Sequence, residues 1–287
     1  MTRRSLRPLA VGAAVAAPVF VGVGYAAGAS IGMWGVGAGD ALDPRRFVRV
    51  LASPVTLEST LWTLRVAFIS TLLSAVVAAA LAIALRRADR VGRWGRALAV
   101  LPLPIPHLVA AVAALLILGQ SGLLARVAFA LGAISGPAEM PPLVFDRGGV
   151  GMTIALLWKE IPFLFLVAAS VLATRGEALE EAARRLGASE WDVLRRVTWP
   201  TLWRGLLPAS VAVFTFVVGS WEVAVLLAPS DPLALPLLTW ERYIDSDLSR
   251  RPDAFVLALL GVSIAAVAVV AHELATRRPA DTRGTAR

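Results

Sequence analysis

Six long blocks of apolar residues constrain this chain more than any other feature of its sequence. Of its 287 residues, 57% are hydrophobic and 17% are charged, whereas a soluble domain carries about a quarter charged residues. A helix that crosses a bilayer core of about 30 Å needs roughly 20 apolar residues. Six segments reach about this length: Leu9–Trp34, Leu61–Leu85, Ala97–Leu118, Val150–Ala173, Leu206–Ala228 and Ala254–Ala275. The sequence therefore predicts a polytopic membrane protein with six transmembrane segments.

The blocks also predict an all-α fold. A backbone without internal hydrogen bonds is too costly in hydrocarbon, so each block is expected to be a helix. A β-barrel is disfavoured because the blocks are continuous and lack an alternation of period two. The chain has no cysteine, and its two histidines, His107 and His272, are far apart in the sequence. This composition argues against a metal site and against a membrane-anchored enzyme with a nucleophile–base pair.

The distribution of basic residues predicts the orientation in the membrane. The net charge is +8, but the basic residues lie at the ends of the apolar blocks, so we expect membrane lipid and no nucleic acid as a partner. If the N-terminus is cytoplasmic, 18 of the 28 basic residues fall on the cytoplasmic side and eight in outer loops. This bias fits the positive-inside rule with both termini cytoplasmic.

Two of the blocks have unusual beginnings. Arg3 and Arg4 precede an apolar run that ends in small residues at 26–30, as in a cleaved secretory signal; the run is nevertheless long enough to span, which favours a retained first helix. The third block contains Pro102, Pro104 and Pro106, which cannot lie inside a regular helix. Either an irregular segment leads into a helix from Pro106 and lines a lumen, or the helix simply starts with proline in its first turn.

The charged residues Lys159, Glu160 and Glu222 fall within the predicted spans. A charge at the centre of a membrane helix costs about 2.5–3.5 kcal/mol on insertion scales, so each is expected to face a cavity, a partner or water. Lys159 and Glu222 are placed at similar depth and are candidates for an ion pair. Two interpretations stay open, a structural pair or interface contact, and a direct role in the translocation path.

The polar stretch at residues 177–207, between the fourth and fifth blocks, is patterned as a helix–turn–helix. Its first part begins with acidic and ends with basic residues, the charge order that the helix dipole favours: Glu177, Glu180, Glu181, Arg184 and Arg185. Gly187 then predicts a left-handed C-terminal cap.

A second helix is predicted to begin at Ser189, with Asp192 three residues later in a capping-box arrangement. It is expected to run to Val197, and Pro200 marks the approach to the next span. These local signals place a helix–turn–helix on the inner face of the membrane.

The same stretch resembles the EAA loop of ABC importer permeases. Glu181-Ala182-Ala183, three residues, Gly187, nine residues and then Val197-Thr198-Trp199-Pro200 follow the family pattern EAA, three residues, G, nine residues, I-x-L-P. Val197 stands for isoleucine and the bulkier Trp199 for leucine. The run at 158–163 resembles the family's fourth span, and a looser likeness covers residues 55–275. The first helix lies outside this likeness.

The resemblance implies a type I ABC importer permease of MetI-like fold, half of a translocation pathway. It implies four kinds of partner: an ABC ATPase subunit dimer, a second permease that is identical or homologous, an extracytoplasmic solute-binding protein, and the lipid of a bacterial inner membrane. The residues that would couple to the ATPase are Glu181, Ala182, Ala183, Gly187, Ser189 and Pro200. Glu181 would meet a basic partner, the alanines would permit close approach, and Gly187 would make the turn.

The chain is expected to be a transport subunit and not an enzyme. A phosphate-binding Walker A loop needs Gly-Lys followed by Ser or Thr, and the only lysine, Lys159, follows Trp158. ATP would therefore be bound by the partner, and no cofactor is expected in this chain. The expected domains are residues 1–54 (first helix and outer loop), 55–275 (permease domain, with the coupling loop at about 174–205) and 276–287 (cytoplasmic tail).

The substrate expectation is a small organic cation. Residues 221–252 resemble the spermidine/putrescine-like branch of the family, and an acidic Glu222 would suit a polyamine. The alternative is a secondary transporter, or another polytopic membrane protein without an ATPase partner. A secondary transporter typically shows inverted repeats with paired broken helices, and no second copy of that kind is evident in the sequence.

Overall fold

The computed structural model describes residues 3–35, 42–86 and 90–276, and these are helical and free of strands. Residues 277–287 of the expected cytoplasmic tail lie outside the described residues. The all-α prediction is confirmed. The α-helices are α1 Arg3–Ser30, α2 Arg45–Leu51, α3 Pro54–Ala84, α4 Arg90–Val100, α5 His107–Leu118, α6 Leu123–Ala130, α7 Val150–Val171, α8 Glu177–Arg185, α9 Glu190–Val193, α10 Trp199–Val218, α11 Trp221–Leu227, α12 Leu235–Ile244 and α13 Arg251–Thr276.

Six helical segments of the described residues are long and apolar enough to cross a membrane, which confirms the predicted number. They are Ala10–Ser30, Pro54–Ala84, His107–Ala130, Val150–Thr174, Glu190–Val218 and Leu248–Thr276. The first, second, fourth and sixth coincide with the predicted blocks to within a few residues, except that the second and the sixth begin seven and six residues earlier. The third and fifth differ from the prediction.

The third span begins ten residues later than predicted. Residues 97–100 end a separate amphipathic helix, α4, and the proline-rich residues 101–105 form consecutive turns. Pro106 has an extended ψ of 145° and caps α5, which starts at His107. The irregular segment before Pro106 is therefore confirmed. The span is also interrupted between α5 and α6, at Gly119–Gly122.

The fifth span is displaced toward its N-terminus. Its helix runs from Glu190 to Val218, so the predicted end at Ala228 is wrong. Gly219 ends α10, and Ser220, with ψ of 90°, separates it from the short helix α11. Glu222 consequently lies in the first turn of α11 and not inside the fifth spanning helix.

The chain divides into two compact units, one of Met1–Thr63 with Pro232–Ser263 and the other of Leu64–Asp231 with Ile264–Arg287. In the first unit, Tyr25 of α1 and Tyr243 of α12 both meet the ring of Phe255 edge-on, at 5.8 and 6.1 Å between centroids. Arg46 of α2 lies 3.7 Å from the carboxylate of Asp253. Aromatic contacts and one ion pair thus hold α12 and α2 against the start of α13.

The second unit has its core between α5, α7, α10 and α11. The largest buried side chains come from α7, α10 and α11: Leu156, Leu164, Phe165, Leu202, Leu206 and Leu227. The face of α5 against them is built from alanines at 110, 111 and 114. Small side chains permit close approach of membrane helices, where dispersion and not the hydrophobic effect drives packing. This packing fixes the ends of α7 and α10, which carry the helix–turn–helix.

Candidate functional site

The turn of the predicted helix–turn–helix is built by Gly187. Its φ is +85°, and the amides of Gly187 and Ala188 donate to the carbonyls of Arg184 and Ala183, at 2.9 and 3.1 Å. This pair of bonds is a Schellman cap, which satisfies the last carbonyls of α8. The predicted left-handed cap is confirmed. A Cβ at Gly187 would meet no atom within 4 Å, so backbone conformation alone requires the glycine.

The second arm begins as predicted but does not end where predicted. The hydroxyl of Ser189 accepts a hydrogen bond from the amide of Asp192 at 3.2 Å, which confirms the N-cap. The helix passes Val197 without a break, through a π-helical turn at Leu194–Thr198, into α10. Pro200 lies in the first turn of α10. Because proline lacks an amide hydrogen, it is tolerated where the preceding turn has already left the regular bonding pattern.

The first arm is likewise continuous with a span. α7 passes through a π-helical turn at Leu172–Gly176 into α8. Both arms are therefore direct extensions of the helices of the fourth and fifth spans.

The exposed surface of the helix–turn–helix, residues 177–200, carries most of the residues that the sequence singled out. The Glu181 side chain is 64% exposed and accepts a 2.6 Å hydrogen bond from Arg185. Ala182 and Ser189 are exposed, while Ala183 and Pro200 are half-buried. The sequence reading missed two apolar neighbours, Leu186 at 89% and Trp191 at 67% exposure. Their apolar character between polar residues was the only available signal.

Glu180 is the residue of this segment that the sequence reading placed least well. The sequence places it in the acidic first turn of a helix, yet only 4% of the residue is exposed. Arg86, just after α3, donates to both of its carboxylate oxygens at 3.0 and 2.9 Å. The hydroxyl of Thr198 donates to it at 2.6 Å, and Arg184 at 3.2 Å. Nothing local in the sequence reveals Arg86 as a partner, because it is 94 residues away.

Arg184 joins the two arms of the segment. Besides Glu180, its guanidinium donates to both oxygens of Glu190, at 2.6 and 3.2 Å. The hydrogen bond to Glu190 raises the pKa of Arg184 above its usual value. This arginine therefore stays charged, and it connects the buried Glu180 to the first residue of α9.

Lys159 is buried and its donors are all used within the chain. Its ammonium donates to the carbonyls of Pro102, Leu103 and Ile105, at 2.9, 3.2 and 2.5 Å. An ammonium has three donors, so the irregular segment before α5 saturates it. The expected ion pair with Glu222 is wrong. The prolines keep residues 101–105 out of a helix, so the backbone carbonyls of this segment are available to bind the ammonium instead.

Glu160, the neighbour of Lys159, is also buried and paired. Its Oε1 lies 3.2 Å from Nε2 of His107, the first residue of α5. Glu160 and Lys159 therefore both fasten α7 to the beginning of the third span. Their role in a translocation path stays a prediction, as does that of Glu222, which is half-exposed. Among the described residues, no group of three or more His, Cys, Asp or Glu side chains is placed to hold a metal ion.

Comparison with known proteins identifies the family. Residues 70–279 match the family described as "Binding-protein-dependent transport system inner membrane component". The matched region contains all the residues of the helix–turn–helix. The chain belongs to this family and is a multi-pass membrane protein of the ABC importer permease class, a transport subunit.

Individual relatives are named for several substrates. The chain is 31% identical over 232 residues to a probable molybdenum ABC transporter permease of Haloferax volcanii, covering 79% of this chain and 80% of the relative. It is 30% identical to the molybdenum transport permease ModB of Mycobacterium tuberculosis, covering 84% and 88%. It is 29% identical to the inner membrane ABC transporter permease YnjC of Escherichia coli, covering 83% of this chain but only 44% of YnjC.

Solved structures show the same fold at low sequence identity. One is a chain of a bacterial alginate ABC transporter, crystallised with its alginate-bound periplasmic protein. It superposes with a TM-score of 0.73 at 16% identity, and the match covers 96% of this chain and 93% of that chain. The MetNI methionine transporter gives a TM-score of 0.53 at 17% identity, covering 77% and 96%. The MetI-like fold is confirmed.

The polyamine expectation is not supported. Two of the relatives reported above are named for molybdenum. Further relatives are named as probable sulfate permeases. One of them, from Chlorella vulgaris, is 27% identical and covers 64% of this chain and 66% of its own length. The likeness to the spermidine/putrescine-like branch rested on the short segment at residues 221–252.

Proposed function

We propose that this chain is the permease subunit of an importer for a tetrahedral oxyanion of the molybdate or sulfate kind. The observation that carries the proposal is the group of relatives named for molybdenum, which share 30–31% identity over about four-fifths or more of both chains. The chain supplies six spans, and we propose that a second permease, identical or homologous, completes the path. A solute-binding protein outside the membrane selects the anion and delivers it.

The helix–turn–helix is the proposed docking site of a separate ATPase subunit. Its exposed face combines the apolar side chains of Leu186 and Trp191 with the carboxylate of Glu181. Large apolar side chains that are exposed beside polar residues fit a protein interaction site. Both arms continue into spans, so ATP-driven movement of the bound subunit is passed to α7 and α10. We propose that both termini lie on this cytoplasmic side, as the basic residues predict.

The intramembrane charges are proposed to be structural in an anion importer. The carboxylates of Glu160 and Glu222 would repel a dianion, and like charges cost several kcal/mol at a contact. Lys159 is the one lysine that could attract it, but three carbonyls already occupy its ammonium. The dianion is thus expected to pass along neutral donors, with affinity supplied by the binding protein.

Uptake by a deletion strain tests the proposed substrate. Cells of the source organism that lack this gene are given radiolabelled molybdate, sulfate or spermidine in separate assays. We expect loss of molybdate or sulfate uptake, its restoration by the gene on a plasmid, and unchanged spermidine uptake. Loss of spermidine uptake alone would overturn the oxyanion assignment.

A further inference from the structure

Glu180 accepts more hydrogen bonds from within the chain than a residue that only faces a docking partner would need. Its Oε1 accepts from Arg86 and Thr198, and its Oε2 accepts from Arg86 and Arg184. A carboxylate has about four acceptor sites, and here four contacts fill them. The side chain is 5% exposed, so it offers no surface to a partner protein. Its role has to be internal.

The partners of Glu180 belong to three different elements. Arg86 follows the last turn of α3, Thr198 ends the π-helical turn before α10, and Arg184 is in α8. Arg184 also reaches Glu190 at the start of α9. One buried carboxylate therefore connects the second span, both arms of the helix–turn–helix and the beginning of the fifth span.

The two π-helical turns explain why such a connection is needed. They lie at Leu172–Gly176 and Leu194–Thr198, where the arms leave the spans. A helix bends most readily where its regular hydrogen-bond ladder is interrupted. A force applied to the docking face would bend the helices at these turns unless other contacts held the arms to the spans.

We infer that Glu180 is a positioning residue that transmits movement of the helix–turn–helix to the spans, by holding both arms against Arg86 at the end of α3. This inference rests on the proposed docking of an ATPase. It assigns Glu180 no contact with ATP, with solute or with the partner. Without the carboxylate, the ATPase still docks, but the arms flex at the π-helical turns and hydrolysis proceeds without transport.

The variant Glu180→Gln tests the inference in proteoliposomes that contain the assembled transporter and its binding protein. ATP hydrolysis and uptake of labelled molybdate or sulfate are measured together. Because glutamine cannot accept the charge-assisted hydrogen bonds that Arg86 and Arg184 donate to Glu180, uptake per ATP is expected to fall about tenfold or more. ATPase subunit recovered with the permease is expected to be unchanged. Glu273→Gln, at an exposed site in the last turns of α13, is the matched control and is expected to behave as wild type.

A double-mutant cycle identifies the contact that matters. Arg86→Gln is expected to reproduce the loss, and the double variant Glu180→Gln/Arg86→Gln is expected to be no worse than either single variant, because the pair acts as a unit. Additive losses would show that the two residues act separately and would overturn the inference. Loss of the ATPase subunit from Glu180→Gln would also overturn it, since the residue would then serve docking.

A distance measurement makes the test independent of the substrate. The chain has no cysteine, so spin labels are placed at exposed Leu179 of α8, which the proposed docking face does not include, and at exposed Leu73 of α3. In the assembled transporter the label-to-label distance distribution is expected to be narrow in the otherwise wild-type chain and broader with Glu180→Gln. Equal widths would contradict the inference. Absence of wild-type molybdate and sulfate uptake would count against the proposed substrate and leave this measurement intact.

Discussion

At Gly187 the backbone alone decides which residue is tolerated. Its φ of +85° lies in the left-handed region, and nothing else lies within 4 Å of a Cβ built there. Valine would cost about 1–2 kcal/mol in this conformation. We expect Gly187→Val to distort the turn and to reduce recovery of the ATPase subunit with the purified permease about 5–30-fold.

Gly132→Val is a matched control for Gly187→Val. Gly132 also has a positive φ, +71°, and open space around its Cβ position, but it follows α6, away from the docking segment. Both variants place valine at a positive φ. A larger loss of the ATPase subunit with Gly187→Val would therefore be due to the functional role of the turn at Gly187. Equal ATPase recovery from the two variants would contradict the assignment of the docking site.

Lys159 is expected to matter for stability and not for solute recognition. Lys159→Met leaves the carbonyls of Pro102, Leu103 and Ile105 without their donor, at about 1–3 kcal/mol for each unsatisfied group. We expect a lower thermal transition of the purified protein. Arg65→Met, which removes an exposed cation from α3, is the control and is expected to shift it less. An unchanged transition with loss of uptake would instead support a role in the path.

At the scale of elements, the positions of the spans followed from the sequence wherever apolar runs were uninterrupted. The fourth helix begins and ends within one residue of its apolar block, whereas the second and the sixth begin seven and six residues before theirs. The third and fifth departed because local chemistry overrode hydropathy. Three prolines made residues 101–105 irregular, and Gly219 with Ser220 ended α10 inside an apolar run. Hydropathy alone does not distinguish an apolar helix from an apolar segment in which the helix is interrupted.

The contacts of the candidate site were less predictable than its helices. The cap at Gly187 and the N-cap at Ser189 are local, and the sequence predicted both. The contacts of Glu180 with Arg86 and of Lys159 with Pro102 join residues that are 94 and 57 positions apart in the sequence. The continuity of both arms with their spans was also missed, because Pro200 suggested a boundary that the π-helical turn removes.

The side of the membrane on which the helix–turn–helix lies is open to direct measurement. Single cysteines at Leu186 and at Leu131, which are 89% and 79% exposed, compare the docking turn with the loop after α6. With both termini cytoplasmic, a membrane-impermeant maleimide should label Leu131→Cys in intact cells and Leu186→Cys only after permeabilisation. Labelling of Leu186→Cys in intact cells would reverse the proposed orientation.

At the scale of the whole molecule, the chain is proposed to form one half of the translocation path. The six spans belong to a family whose members are inner membrane components of binding-protein-dependent transport. The proposed energy source is a separate ATPase bound at the helix–turn–helix. This proposal distinguishes the chain from a secondary transporter, in which an ion gradient would drive uptake and no docking surface would be needed.

ATP-dependent uptake in proteoliposomes tests that claim most directly. The permease is reconstituted with the ATPase subunit and the binding protein, and entry of labelled molybdate or sulfate is followed with and without ATP. We predict uptake only with ATP and the ATPase subunit. Glu181→Lys should abolish it, because like charges across an interface cost several kcal/mol, whereas Glu241→Lys, also exposed, should not. Uptake that persists without the ATPase subunit under an ion gradient would contradict the account.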